Sequence, residues 1–458
     1  MIELLRRVAA SDADRLAVVA VDGEWSYGQL ADEADLLAAG LRAAGIERLA
    51  IVSNDMPLIV ALLAASSLVG AEACVYAPDI APEELARQAA AFDHKVIVTD
   101  RHDLGEPPSD LVPPARLRAD RAEDGEPGEL PARRPLLVLT TGTTGKPRGV
   151  RHDWTRQLSR TGAARDGAGQ RWLLAYGPQQ FAGLQVLIHV LGTGATLVAP
   201  PVRRPQAVMD WIHRERVDHI SATPTFWRFL LAELRADTRP VPVLRQITLG
   251  GEAAPASLLD ELTATFPDAR ISHIYAGSEF GSTGSVSDRR DGLPASLLER
   301  GEDGEVDLRI VDGELWVRST AAMLGYYGED DRPEADWWPT GDLVEVVGDR
   351  IEFQGRKSDV INVGGVKVHP LPVEERVATV AGVFAARVYG RPNALVGAVV
   401  AVDVVPDGEV DEQDLKAAVR AACADLPRPW QPKSVRVVEE LATKQGKTLR
   451  GIEAATGD

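Results

Sequence analysis

From Gln29 to Thr99 the chain alternates short strand-like apolar runs with helix-length ones. That alternation implies a parallel sheet covered by helices on both faces. Gln29 to Gly45 reads as an Ala- and Leu-rich helix ended by a glycine, Leu49 to Ser53 as a strand, and Pro57 to Gly70 as a second helix. Val75-Tyr76 returns to strand, Pro82 to Phe92 to helix and Lys95 to Thr99 to strand. Arg101 to Arg134 is rich in Pro, Asp, Glu and Arg with weak periodicity, and reads as a surface excursion joining subdomains. Alternation resumes at Leu136 and runs to about Thr283.

From Glu305 the pattern changes. Val306 to Val311 and Glu314 to Val317 flank Asp312-Gly313, and Leu343 to Val347 and Arg350 to Gln354 flank Gly348-Asp349, which reads as two hairpins. After Gly355-Arg356 comes a smaller α+β unit with a helix over Glu412 to Asp425. At 458 residues the chain exceeds one ordinary core, so a division into 1–355 and 356–458 is expected. The fold class is α/β: a large N-terminal domain of several subdomains, parallel-rich with a β-rich part, plus a small α+β domain.

The formal charge of −18 argues against nucleic acid and against an anionic membrane surface, both of which need clustered Lys and Arg. No run of about 18 apolar residues is present to span a bilayer. Met1 to Arg7 lacks the apolar run of a signal peptide, and Cys74 and Cys423 stand far apart without His partners at ligand spacing. A reducing, cytoplasmic setting is expected.

The chemistry concentrates in Leu137-Val138-Leu139-Thr140-Thr141-Gly142-Thr143-Thr144-Gly145-Lys146-Pro147-Arg148-Gly149-Val150. Here an apolar strand runs into a loop with four Thr hydroxyls, glycines and a Lys. Glycines let backbone N–H groups converge on phosphate oxygens, and hydroxyls and an ammonium add donors. It is not a Walker A loop, because Pro147 follows Lys146 where Ser or Thr is required. A flexible surface loop is the plainer alternative.

This loop resembles the pyrophosphate-binding signature of the ANL superfamily of adenylate-forming enzymes: acyl-CoA synthetases, nonribosomal adenylation domains and luciferases. Thr141 stands for its usual Ser and Arg148 for its usual Lys. Further segments resemble the family in order along nearly the whole chain: Trp25 to Leu30, Gly250-Gly251-Glu252-Ala253 on the adenine side, and Tyr275-Ala276-Gly277-Ser278-Glu279. Trp338-Pro339-Thr340-Gly341-Asp342-Leu343 follows, then Gly355 to Pro370 and Thr443 to Arg450.

The resemblance implies that Thr140, Thr141, Gly142, Thr143, Thr144, Gly145 and Lys146 hold phosphate, with Gly251, Glu252 and Ala253 beside adenine. It has Tyr275 pack on adenine, Ser278 contact a phosphate, and Glu279 bind Mg²⁺. Asp342 would accept the ribose hydroxyls and Arg356 reach ribose or phosphate. Ser358 would be the hinge, Gly364-Gly365 a loop entering the site for the second half-reaction, and Lys447 the catalytic lysine, with Lys444 a neighbour. Asn362 departs from the family's more frequent Lys, so a role carried by that Lys does not transfer.

Tyr176 to Leu184 resembles the segment lining the acyl pocket, with Gln180 or Phe181 where the family often has a His. It contains no Asp or Glu, and an α-ammonium without a carboxylate partner is costly to bury, so an α-amino acid is disfavoured. Phe181, Gly183, Ala222, Gly250 and Ala276 fit an apolar, fairly short pocket for an aryl or modest acyl acid, and each equally fits plain core. The expected reaction activates a small carboxylic acid with ATP and Mg²⁺ and transfers it to a thiol, that of CoA in the first reading and of a carrier protein's phosphopantetheine in the alternative. Transfer to an acyl carrier protein, an amine or nitrite is the first alternative, and a non-catalytic nucleotide-binding relative the second.

Overall fold

The computed structural model describes residues 1–105, 109–119, 130–141, 147–159, 166–299, 305–333, 336–441, 443–444 and 447–448. The side chains of Thr141, Thr443, Lys444, Lys447 and Thr448 are excepted. Two large sheets share one interior. The first has eight strands in the order Gly281–Val286, Arg270–Gly277, Gln246–Gly250, His219–Ala222, Arg171–Leu174, Thr196–Val198, Leu16–Ala20, Gly23–Ser26. All neighbours run parallel except the two edge strands. The second has seven: Gly325–Tyr326, Pro147–Asp153, Pro135–Thr141, Glu72–Val75, Arg48–Val52, Val96–Thr99 and Asp110–Val112.

Helices fill the space between them. Every residue from Met56 to Leu68 is buried in the helix Met56–Val69, because this helix is apolar all round and is covered on every face. Asp55 caps its start, accepting from Leu58 N–H, and Gly70 ends it in the left-handed region at φ +76°. Helix Tyr27–Ala43 opens with a reciprocal cap between Ser26 and Gln29. The core joins Val18 and Leu174 of one sheet to Leu49 and Ile51 of the other through Leu37, Leu62 and Leu187 of the helices.

The excursion after Arg101 is more ordered than its composition implies. Asp110–Val112 adds the outer strand of the seven-stranded sheet, and the buried Leu117 packs onto helix Tyr27–Ala43. There the helix carries Gly40, whose Cβ would sit 1.6 Å from the Leu117 carbonyl oxygen. The weak periodicity reflects a three-residue strand, too short to show alternation. The helix expected to reach Asp425 ends at Ala422.

The two hairpins form as read. They join in a five-stranded antiparallel sheet: Leu293–Pro294, Arg350–Arg356, Trp338–Val347, Glu314–Ser319 and Val306–Val311. A separate small domain follows, with a sheet of Val366–Val368, Ile361–Val363, Gly397–Pro406 and Val383–Asn393, to which Ser434–Val437 adds. Val373, Val388, Val402, Leu415 and Val419 lie in its own core. Asp403 is buried there and compensated by Arg387 and by Arg436 at 2.8 Å. Lys447–Thr448 pairs with Thr443–Lys444 in a two-stranded hairpin. Among the described residues no helix is long and apolar enough to cross a membrane.

Candidate active site

Three adjacent parallel strands deliver the centre of the site. His219–Ala222, Gln246–Gly250 and Arg270–Gly277 run in register, so Ala222 lies opposite Leu249 and Gly250 opposite Ile274. Their carboxyl ends set Ala222, Gly250, Tyr275 and Ala276 along one edge, where open α/β sheets bind ligands. Ser278 and Glu279 occupy the turn into the antiparallel edge strand Gly281–Val286, with Gly281 at φ +77°.

The β-rich sheet reaches this edge through Asp342. The Tyr275 hydroxyl donates to Asp342 Oδ2 at 2.6 Å, and Arg356 Nε meets Asp342 Oδ1 at 2.9 Å. Asp342 and Arg356 face each other across paired strands, which fixes their approach. Burial, and next the Asp342 carboxylate, push the Tyr275 phenol well above the usual tyrosine range, so it stays a donor. Phe280 and Phe353 hold the Tyr275 ring at centroid distances of 5.4 and 5.0 Å. The Thr340-Gly341-Asp342 bulge within strand Trp338–Val347 is itself pinned: Thr340 Oγ1 donates to the Leu315 carbonyl at 2.7 Å and accepts from Asp342 N–H at 3.1 Å.

Two residues that no motif singled out complete these contacts. Glu314 accepts from Gly341 N–H at 2.9 Å and from Lys357 Nζ at 3.1 Å, tying the bulge to the linker after Arg356. Tyr326 donates to Glu279 Oε1 at 3.1 Å, and the Arg148 guanidinium lies 3.4 Å from the centroid of its ring. Their signals were hidden because each contact joins segments far apart in the chain.

Among the described residues no three His, Cys, Asp or Glu groups cluster as a metal site. A cation at Glu279 would therefore rest on that carboxylate, phosphate oxygens and water. That donor set fits Mg²⁺, which keeps waters and takes one or two carboxylates plus substrate phosphates.

Of the Thr-rich loop, Gly142, Thr143, Thr144, Gly145 and Lys146 lie outside the described residues. The strands leading into and out of it pair through to Thr141 opposite Pro147, and Thr140 Oγ1 donates to the Arg148 carbonyl at 3.4 Å. Glu252 caps helix Pro224–Ala236 from outside, accepting from Thr225 N–H at 3.0 Å and Thr225 Oγ1 at 2.7 Å. That leaves Gly251, at φ +85°, and Ala253 on the flanking turn.

On the acid side, Tyr176 donates to the Gly250 carbonyl at 3.1 Å, linking the Tyr176 to Leu184 segment to the strand edge. Gln180 precedes helix Phe181–Thr193 and accepts from Gly177 N–H at 2.9 Å. Phe181 stacks on His152. Gly183 has a packing reason of its own, since a Cβ there would lie 2.1 Å from the Gly177 carbonyl oxygen. Ala222 belongs to the hydrophobic cluster of Trp227 and Leu249.

In the small domain, Ser358 sits in the turn Lys357–Asp359, its hydroxyl 2.9 Å from Asp359 Oδ1. Gly364 and Gly365, at φ +59° and +89°, make the turn between Ile361–Val363 and Val366–Val368. Asn362 secures that turn by accepting from Gly365 N–H at 2.9 Å. The backbone places Lys447 opposite Lys444, and the side chains of both lie outside the described residues.

Residues 5–327 match the family of AMP-binding enzymes, and residues 372–447 match the AMP-binding enzyme C-terminal domain. The chain belongs to the AMP-binding enzymes of the adenylate-forming superfamily. Feruloyl-CoA synthase of an Amycolatopsis species is 29% identical, over 93% of this chain and 92% of its own. A medium/long-chain-fatty-acid–acyl-carrier-protein ligase of Mycobacterium tuberculosis is 26% identical, over 99% and 88%. An anthranilate CoA ligase solved with anthranoyl-AMP superposes with a TM-score of 0.83 at 19% identity, over 98% of this chain and 95% of its own. This last likeness speaks for the fold. The family and the α/β architecture with a separate small domain are those the motifs implied.

Proposed function

We propose that this adenylate-forming enzyme joins an aryl or short acyl carboxylic acid to AMP and then passes the acyl group to the thiol of CoA. The observation that carries the reading is the convergence of Tyr275, Asp342 and Arg356, drawn from two sheets, at the strand end whose following turn holds Glu279. A carboxylate is a poor electrophile. When its oxygen bonds to the α-phosphorus of ATP, the bond to the bridging oxygen breaks and pyrophosphate leaves, giving a mixed anhydride. The thiol sulfur then bonds to the acyl carbon, AMP departs and the thiol proton is released.

Catalysis of this kind rests on positioning and charge. In this reading Asp342 and Arg356 orient the ribose, Tyr275 flanks adenine beside Gly251 to Ala253, and Ser278 and the Thr140 to Lys146 loop hold phosphate. Glu279 is the carboxylate for Mg²⁺, which when bound offsets phosphate charge. Lys447 bridges the acid carboxylate and α-phosphate. The unit after Arg356 turns about Ser358 between the two half-reactions, and Gln180, Phe181, Gly250 and Ala276 border the acid. Two free, buried cysteines, Cys74 and Cys423, support a cytoplasmic setting.

Delivery to an acyl carrier protein is the second reading, supported by the mycobacterial relative that spans nearly all of this chain. Acid-dependent exchange of labelled pyrophosphate into ATP tests activation. Adenylate consumption with CoA against a phosphopantetheinylated carrier protein separates the acceptors. Exchange that is strongest with α-amino acids would overturn the substrate class.

A further inference from the structure

His152 is a wholly buried histidine at the end of the strand that leaves the Thr-rich loop. Its ring lies flat on Phe181, with centroids 5.1 Å apart and planes 20° from parallel. Gln157 Nε2 is 3.1 Å from His152 Nδ1 and 3.0 Å from the Ala321 carbonyl oxygen, and Gln185 Nε2 donates to Gln157 Oε1 at 2.8 Å.

These contacts decide where the imidazole proton sits. A carbonyl only accepts, so the Gln157 atom facing Ala321 is the amide nitrogen, and its second hydrogen goes to a bare His152 Nδ1. Burial lowers the His152 pKa to about 3, so the ring is neutral and its one proton is on Nε2. That Nε2 is buried with no hydrogen-bond partner. Buried donors are nearly always paired, and an unmade one costs free energy. Flat stacking keeps the N–H parallel to the Phe181 ring, so the π face of Phe181 cannot receive it.

The place of this donor matters. Phe181 opens the helix after Gln180, in the segment tied by Tyr176 to Gly250. Ala321 packs on Gly281, and Met323 N–H donates to the Glu279 carbonyl at 2.9 Å. The imidazole therefore lies between the acid-side segment and the chain around Glu279.

We propose that His152 is a specificity-determining residue of the acid site, its Nε2–H recognising an oxygen or nitrogen acceptor carried on the acyl part of the substrate. A methoxy, hydroxyl or keto oxygen on an aryl acid is the chemistry that fits. The assignment rests on the acid-activating reading above. Phe181 covers the buried ring, so the acid would gain this hydrogen bond by shifting the edge of Phe181, which would couple recognition to a side-chain movement. Gln157 is a positioning residue that holds the tautomer.

Two measurements test it. In protein carrying ¹⁵N-histidine, long-range ¹H–¹⁵N correlation at neutral pH should show His152 with bare Nδ1 and protonated Nε2. Pyrophosphate exchange is then measured with acid pairs differing by an ether oxygen or a methylene, methoxy against ethyl on benzoate and cinnamate. The unaltered enzyme should favour the oxygen member of at least one pair by roughly 10-fold in kcat/KM, the scale of one hydrogen bond. His152→Leu should bring that ratio near one, and His152→Gln, whose amide nitrogen reaches a similar point, should restore much of it. His152→Gln and the spectrum of the unaltered protein carry the test if His152→Leu fails to fold. An Nδ1-protonated ring, no oxygen preference in any pair, or a preference that His152→Leu leaves intact overturns the assignment alone. Absence of exchange with every acid overturns the acid-activating reading and this assignment with it.

Discussion

Tyr275 and Asp342 stand 67 positions apart in the chain and share a 2.6 Å hydrogen bond that joins the parallel sheet to the β-rich one. Asp342 is buried, and its other oxygen meets Arg356. Tyr275→Phe keeps the ring between Phe280 and Phe353 and removes one donor to a buried carboxylate, at a cost of about 1–3 kcal/mol. The melting temperature should fall by several degrees. The KM for ATP should rise about 10-fold if Asp342 needs this partner to meet ribose. Calorimetry and exchange kinetics check the two parts; an unchanged KM for ATP would detach the pair from nucleotide binding.

Tyr275, Glu279 and Asp342 were legible because each sits in a short contiguous motif. The parallel core was legible for the same kind of reason, since period and length are local properties of the chain. Glu314, Tyr326 and Gln157 were not, because their partners Lys357, Glu279 and Ala321 are 43, 47 and 164 positions away. Asn362 read as a departure from a family pattern, whereas its structural task is to hold the Gly364-Gly365 turn. The strand Asp110–Val112 escaped notice because three residues cannot display a period of two.

Gly183 separates a packing role from a pocket role. A Cβ there would lie 2.1 Å from the Gly177 carbonyl oxygen, and backbone must move to admit it. Gly183→Ala should destabilise by about 1–3 kcal/mol, as overpacking does. It should also shift the turn that places Gln180 and Phe181. Thermal unfolding gives the first, and a melting temperature equal to the parent's would show that the turn yields freely.

Acid stability should report two neutral buried histidines. Burial lowers His94 to about 4 and His152 to about 3, while each titrates near 6.5 when unfolded. Below 6.5 the unfolded chain binds protons that the folded chain refuses, so stability is present above that pH and is lost as pH falls toward the folded values. Each histidine should steepen the fall by up to about 1.4 kcal/mol per pH unit. Tyr76 bonds His94 Nδ1 at 2.8 Å, so His94→Gln retains a polar partner there. Denaturant unfolding from pH 7 to 4 should lose about one proton of slope in this variant; an unchanged slope would place the titration elsewhere.

The last expectation separates the two half-reactions. In the proposed reading Lys447 lies beside the reacting carboxylate and α-phosphate during adenylation only, and the unit after Arg356 carries it away before the thiol arrives. Lys447→Ala removes positive charge where negative charge gathers in the transition state, a loss on the order of 10²–10³ in rate by analogy with deleting an oxyanion donor. The hairpin pairs Lys444 directly with Lys447, so the two positions share a backbone setting, and Lys444→Ala is the internal control. Lys447→Ala should fold, fail in pyrophosphate exchange, and still convert synthetic acyl-adenylate with its acceptor. Lys444→Ala should leave both steps nearly intact. Equal loss of both steps in Lys447→Ala would mean the lysine also serves thiol transfer, and a larger exchange defect in Lys444→Ala would move the catalytic role to that residue.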